Sequence, residues 1–289
     1  MIPLSLWARL TRRLPAAAAV ASLFTAAASS AAARAAETVS FPGAGVTLNA
    51  VLYRPAGSGP FPSVVALHGC AGLFGKDGGL APRHADWAER LMAEGFIVLF
   101  PDSFGSRGAP SQCETAERAA RSSRERVDDA FAAKSYLQAR SDVKADAVAL
   151  LGWSNGGSTV LYAVQKGREA GDGRLDFARA VAFYPGCRTP MERSKWQTRL
   201  PLLILIGAAD DWTPAEPCEA LAATAKAAGE PVSIVVYPDA YHDFDHPDLP
   251  VRLHSGLAFS ADGSGRAHTG TNPAARQDAV RRVPDFLKR

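Results

Sequence analysis

A chain of 289 residues that is 47% apolar and 21% charged carries enough apolar mass for a full core, which excludes disorder, a fibrous repeat and a fold held by disulfides alone. Its formal charge of +3 comes from the start: Arg9, Arg12, Arg13 and Arg34 meet no acid before Glu37, which leaves 28 of the 32 basic residues against 29 acidic ones. A nearly neutral chain without a basic stripe excludes an electrostatic case for nucleic acid or an anionic membrane surface, and a small molecule is the expected partner.

Three arginines among the first thirteen residues precede an uncharged run from Leu14 to Ala33, and Ala33-Arg34-Ala35 puts small residues where a signal peptidase reads. This layout predicts a signal peptide over residues 1–35, one domain over 36–289, and a periplasmic or secreted protein. The run is mostly alanine, too weakly apolar for a stable membrane anchor. Thr11-Arg12-Arg13 fits a twin-arginine signal except that Pro15 stands where that signal prefers a large apolar residue, so the export route is open.

Val46 to Tyr53 alternates as an antiparallel edge strand does, whereas the later apolar runs are continuous, as in strands covered on both faces. These runs are Val64 to Leu67, Phe96 to Phe100, Ala147 to Leu151, Ala180 to Tyr184, Leu202 to Ile206 and Val232 to Tyr237. Helical stretches are expected between them at His84 to Glu94, Glu117 to Arg140, Gly157 to Lys166 and Cys218 to Ala228, with Ala274 to Lys288 closing the chain. The alternation predicts an α/β domain, a mostly parallel doubly wound sheet flanked by helices on both faces. Ser255 to Asn272 has no apolar periodicity and reads as a surface loop, either a flap over a site or a solvated connection.

In an oxidising compartment the four cysteines favour disulfides, with three pairings available. No C-x-x-C spacing supports a zinc site. Cys70, Cys113 and Cys187 follow strand runs and Cys218 begins a helical stretch. If consecutive strand-to-helix connections share one sheet edge, the expected pairs are Cys70 with Cys113 and Cys187 with Cys218.

Gly152-Trp153-Ser154-Asn155-Gly156-Gly157 follows a buried run and precedes a helix, the context of a nucleophile elbow, in which Ser154 is strained with its hydroxyl exposed. By itself G-x-S-x-G is weak evidence. A serine hydroxyl needs a base, and the base an orienting acid. The loop Gly207-Ala208-Ala209-Asp210-Asp211-Trp212-Thr213-Pro214 and the loop Pro238-Asp239-Ala240-Tyr241-His242-Asp243-Phe244 follow two later covered strands and supply both. A histidine and acid cluster at His242, Asp243, Asp245, His246 and Asp248 is a weak metal candidate because Pro247 breaks any helix that would align it. No cofactor and no metal are expected. Arg107, after Phe100, is the nearby cation that could meet a substrate carboxylate, or a solvated loop arginine.

The chain resembles the dienelactone hydrolase family of α/β-hydrolases from about Val39 onward, in His68-Gly69-Cys70-Ala71-Gly72, in Gly152 to Gly157, in Gly207-x-x-Asp210-x-x-x-Pro214 and in Tyr241-His242-x-Phe244. The order Ser, Asp, His is the one that fold imposes. The resemblance implies Ser154 as nucleophile, Asp210 as acid and His242 as base, with the backbone N–H groups of Cys70 and Asn155 as the oxyanion hole; its spacing favours Asp210 over Asp211, which is then expected to cap the following turn. This chain has Ser154 where the namesake enzymes use cysteine, and Gly69 where they carry a glutamate. The implied activity is therefore that of a serine carboxylesterase on esters or lactones. A peptidase or acyltransferase on the same fold, or a binding module that lost catalysis, are the alternatives.

Overall fold

Eight strands hydrogen-bond in the order β1-β2-β4-β3-β5-β6-β7-β8, with β1 and β2 antiparallel to their neighbours and every later pairing parallel. They span Glu37–Pro42 (β1), Thr47–Tyr53 (β2), Phe61–Leu67 (β3), Ile97–Pro101 (β4), Val143–Trp153 (β5), Ala180–Phe183 (β6), Leu202–Gly207 (β7) and Val232–Tyr237 (β8). The structure, a computed structural model, describes Met1 and residues 36–169, 171, 173–193 and 196–289. Apart from Met1, the expected signal peptide lies outside the described residues. The described residues from 36 onward form one compact unit by their contacts.

The doubly wound sheet is flanked by helices on both faces: Pro82–Ala93 (α1), Glu125–Gln138 (α2), Asn155–Ala163 (α3), Arg188–Arg193 (α4), Ala215–Ala227 (α5) and Pro273–Lys288 (α6). β4, β6 and β7 are buried along their whole length, as continuous apolar runs require. From β3 the chain passes to β4 on one side, then returns to β5 on the other. The sheet therefore has its topological switch point at the carboxyl ends of β3 and β5, where such folds open a crevice for ligands.

Three sequence expectations need correction. The edge strand is β1, outside β2; its Glu37, Thr38, Ser40 and Pro42 are exposed, so it lacks the apolar signal of the other strands. The helix expected from Glu117 begins only at Glu125, because side chains claim the preceding backbone donors: Ala119 N–H donates to Gln112 Oε1 and Arg121 N–H to Glu125 Oε2. Finally, the 255–272 segment is flanked and partly formed by a two-stranded ladder, Arg252–His254 (β9) with Ala267–Thr269 (β10). Both expected disulfides are formed, Cys70 with Cys113 and Cys187 with Cys218. Among the described residues no helix is long and apolar enough to cross a membrane.

Candidate active site

The turn after β5 is set by steric exclusion. A Cβ at position 152 would lie 2.3 Å from the Gly156 carbonyl oxygen, and one at 156 would lie 2.1 Å from the Leu67 carbonyl oxygen. With glycine at both places the backbone turns from strand into α3 and leaves Ser154 at φ 53° and ψ −113°. Among the described residues the other non-glycine positions with positive φ, Tyr184, Asp239 and Asp243, also follow strands β6 and β8. Backbone strain is thus concentrated at the carboxyl edge of the sheet, as it is at functional sites.

The end of β3 closes on the same turn. A Cβ at Gly69 would sit 3.6 Å from that of Ser154, so the backbone of Cys70 and the first turn of α3 at Asn155 border the serine from two sides. The Cys70 disulfide and the Gln112 N–H bond to the Cys70 carbonyl (2.8 Å) tether this loop to the segment around Cys113.

His242 is buried, and its Nδ1 lies 2.7 Å from Asp210 Oδ2. An ionised carboxylate only accepts, so Nδ1 carries the proton and Nε2 presents a bare lone pair. The other oxygen of Asp210 accepts the N–H groups of Trp212 (2.9 Å) and Thr213 (2.8 Å). The turn-capping role expected of Asp211 therefore belongs to Asp210. Asp211 instead holds His268, through both the backbone N–H and Nδ1, each at 2.7 Å. Burial by itself would lower the His242 pKa, but the charge and hydrogen bond of Asp210, helped by Asp243, hold it above the ordinary histidine value.

No hydrogen bond joins the Ser154 hydroxyl to His242: among the described residues, Nε2 is buried without a partner. What connects the two is shared surroundings. Ser154, Trp212 and Thr213 line one cavity of about 430 Å³. The Trp212 ring packs 4.8 Å from the imidazole, and Thr213 Oγ1 lies 3.1 Å from its Nδ1. Cys70 and Asn155 line the same cavity, as do Phe259, Ser260 and Ala261 from the 255–272 segment. That segment is thus a wall of the cavity. Its strand β10 bridges to His242 at Thr269, and the Gly270 N–H donates to the His242 carbonyl at 2.9 Å.

Several residues hold the site in roles that the sequence did not signal. Asp245 accepts from the indoles of Trp87 and Trp153 and from the Tyr184 hydroxyl, all within 2.8 Å. Asp243 pairs with Arg83, and the Tyr184 ring lies 4.4 Å from His242. These acids, offered above as a weak metal cluster, are occupied in pinning the histidine loop. No group of three or more possible metal ligands occurs among the described residues. Arg107 is also occupied, by a two-armed pair with Asp129 at 2.8 Å. Among the described residues the cations on the cavity wall are Arg118 and Arg188.

A model of the dienelactone hydrolase family matches residues 48–289. No curated protein matches. Among solved structures, a putative dienelactone hydrolase from Klebsiella pneumoniae is similar over 88% of this chain and 98% of its own, at 20% identity and a TM-score of 0.64. Esterase 2 of Thermogutta terrifontis is similar at 19% identity, covering 88% and 94%, with a TM-score of 0.61. An acylaminoacyl peptidase from Pyrococcus horikoshii is similar at 15% identity, and this chain spans 41% of it, with a TM-score of 0.61. At these identities the structural likeness shows the fold, and the family match covers most of the chain. The chain belongs to the dienelactone hydrolase family and is a hydrolase of the α/β-hydrolase fold.

Proposed function

We propose that the protein is an exported serine esterase that cleaves carboxylic esters or lactones through an acyl-enzyme, with Ser154 as nucleophile, His242 as general base and Asp210 as its orienting acid. The observation that carries this reading is a buried imidazole whose Nδ1 is fixed by Asp210 and whose Nε2 is bare, packed against Trp212 and Thr213, which line the cavity of a strained serine. In unliganded hydrolases the serine-to-histidine hydrogen bond often tightens only when substrate binds. Ser154 Oγ attacks the acyl carbon while Nε2 takes its proton, and the oxyanion is met by the N–H groups of Cys70 and Asn155. Collapse expels the alkoxide, which receives the proton from Nε2; water then repeats the sequence and frees the acid. Two disulfides fit an oxidising compartment, in keeping with an export signal over 1–35 and one mature domain from 36.

Arg118 and Arg188 line the cavity and, among the described residues, no aspartate or glutamate does, so esters bearing an anionic group are expected to be turned over better than neutral ones of equal size. The test is a fluorophosphonate probe with a panel of p-nitrophenyl esters, lactones and anilides. Labelling and ester hydrolysis that both vanish in Ser154→Ala support the reading. A folded protein that is never labelled, or is labelled equally after that substitution, defeats it. Faster turnover of anilides than esters would favour a peptidase.

A further inference from the structure

One buried charge beneath the site is not used by the triad. Arg126, on the first turn of α2, is fully buried. Its guanidinium reaches two segments far apart in sequence: NH1 donates to the Asn155 side-chain oxygen, and NH2 to the His68 carbonyl at 2.7 Å. The Phe104 ring lies 5.1 Å from its centre. Among the described residues no carboxylate forms an ion pair with it, and its Nε has no hydrogen-bond partner. The nearest candidate on the same helix, Asp129, is taken by Arg107.

A buried cation bonded only to neutral acceptors is costly, and replacing such a group by an apolar side chain often improves stability. Its two acceptors belong to the segments that border Ser154. His68 begins the loop carrying Cys70, and Asn155 carries the other N–H offered to the oxyanion. One contact is to the backbone carbonyl two residues before Cys70, the other to the side chain of Asn155 itself. Burial, opposed by the charge of Asp129, pulls the guanidinium down only to about 9, so it is charged at neutral pH.

We propose that Arg126 is a positioning residue of the esterase reaction: its two-armed clasp on Asn155 and His68 sets the spacing between the two oxyanion-hole segments and places a buried positive charge behind them. The proposal rests on the esterase reading above. Such a residue acts on the transition state, where the carbonyl oxygen becomes an anion, far more than on the bound ester, where it is neutral.

The test uses Arg126→Met and Arg126→Lys, each checked for cooperative thermal unfolding and assayed for kcat and KM on a p-nitrophenyl ester, with Ser154→Ala as control. Expected is a fall in kcat of up to about 10²-fold in Arg126→Met, approaching the loss of one oxyanion donor. KM should stay within about threefold, and fluorophosphonate labelling should slow in parallel with kcat, since both reactions place charge in the same hole. Arg126→Lys keeps the charge without the fork and should fall between. In the double variant with Asn155→Ala the losses should not add, because both remove one clasp. Folded variants with kcat near wild type overturn the proposal, as does a loss that merely tracks the unfolded fraction or the failure of both variants to fold. A wild-type protein that neither hydrolyses esters nor reacts with the probe instead removes the esterase reading itself.

Discussion

Two consecutive aspartates each hold a histidine Nδ1 at 2.7 Å, yet the pairs are not equivalent. In Asp210 with His242 the side chains are 0% and 1% exposed, whereas in Asp211 with His268 they are 40% and 37% exposed. Water screens the outer pair and competes for its hydrogen bonds, so it contributes little more than a tether for the cavity wall. Around the inner pair there is no such screening: the carboxylate fixes the tautomer, and its charge and hydrogen bond, helped by Asp243, together outweigh the cost of burial on the imidazole. Equal distances therefore describe a buried, unscreened pair in one case, the one proposed to serve catalysis, and a surface clip in the other. The dielectric environment decides which.

The sharpest way to break this comparison is to neutralise each acid in turn. Asp210→Asn is expected to lower turnover by about 10⁴-fold, because the imidazole loses the acceptor that fixes its tautomer. Asp211→Asn should leave turnover within a few-fold, and kcat measurements on one p-nitrophenyl ester decide; equal losses would mean that the outer pair also serves the chemistry. The pH profile sharpens the point. With the His242 pKa raised, the active neutral form appears only above the ordinary value of 6.5, so the acid limb of kcat/KM should lie above that pH and stay there in Asp211→Asn.

A smaller effect concerns the support behind the inner histidine. Burial would raise the Asp243 carboxyl, but Arg83 holds it down at about 2. A depressed carboxyl contributes stability that is fully present above its ordinary 3.8 and is lost as pH falls towards about 2. Urea unfolding between pH 5 and 3 should therefore show a steeper acid loss in the wild type than in Arg83→Met, which has already lost the pair. The smallest change is expected at the outer pair: His268→Ala should cost less than about 1 kcal/mol, or roughly 2–4 °C in Tm for a domain of this size. A larger drop would show that the tether carries more than a surface pair can.

Legibility from sequence differed by element for physical reasons. The covered strands showed as unbroken apolar runs because both of their faces are packed. β1 escaped notice because most of its side chains meet water. The elbow was readable because its glycines mark a tight turn: Gly152 stands against the Gly156 backbone within the turn itself, whereas the reason for Gly156, the backbone of Leu67 at the end of β3, is visible only in the fold. Arg126 was not, since an arginine in a helix ordinarily reads as a solvated face. The available hint was its place four residues before Ala130 in the buried stripe that continues through Ala133 and Leu137. Arg107 misled because loop cations look free until their partner, Asp129 on α2, is brought alongside.

By itself the sequence determined the alternation of strand and helix, the tight turn that strains Ser154, and the placement of an acid and a histidine after the strands that follow it. These depend on side-chain size and periodicity within a few neighbouring residues. Only the tertiary structure decided which aspartate meets His242, which sits against His268, and that a buried arginine clasps the two walls beside the serine. Those pairings join residues 29 to 58 positions apart, and their geometry exists only once the sheet order has brought the strand ends together and burial has fixed what each charge can feel.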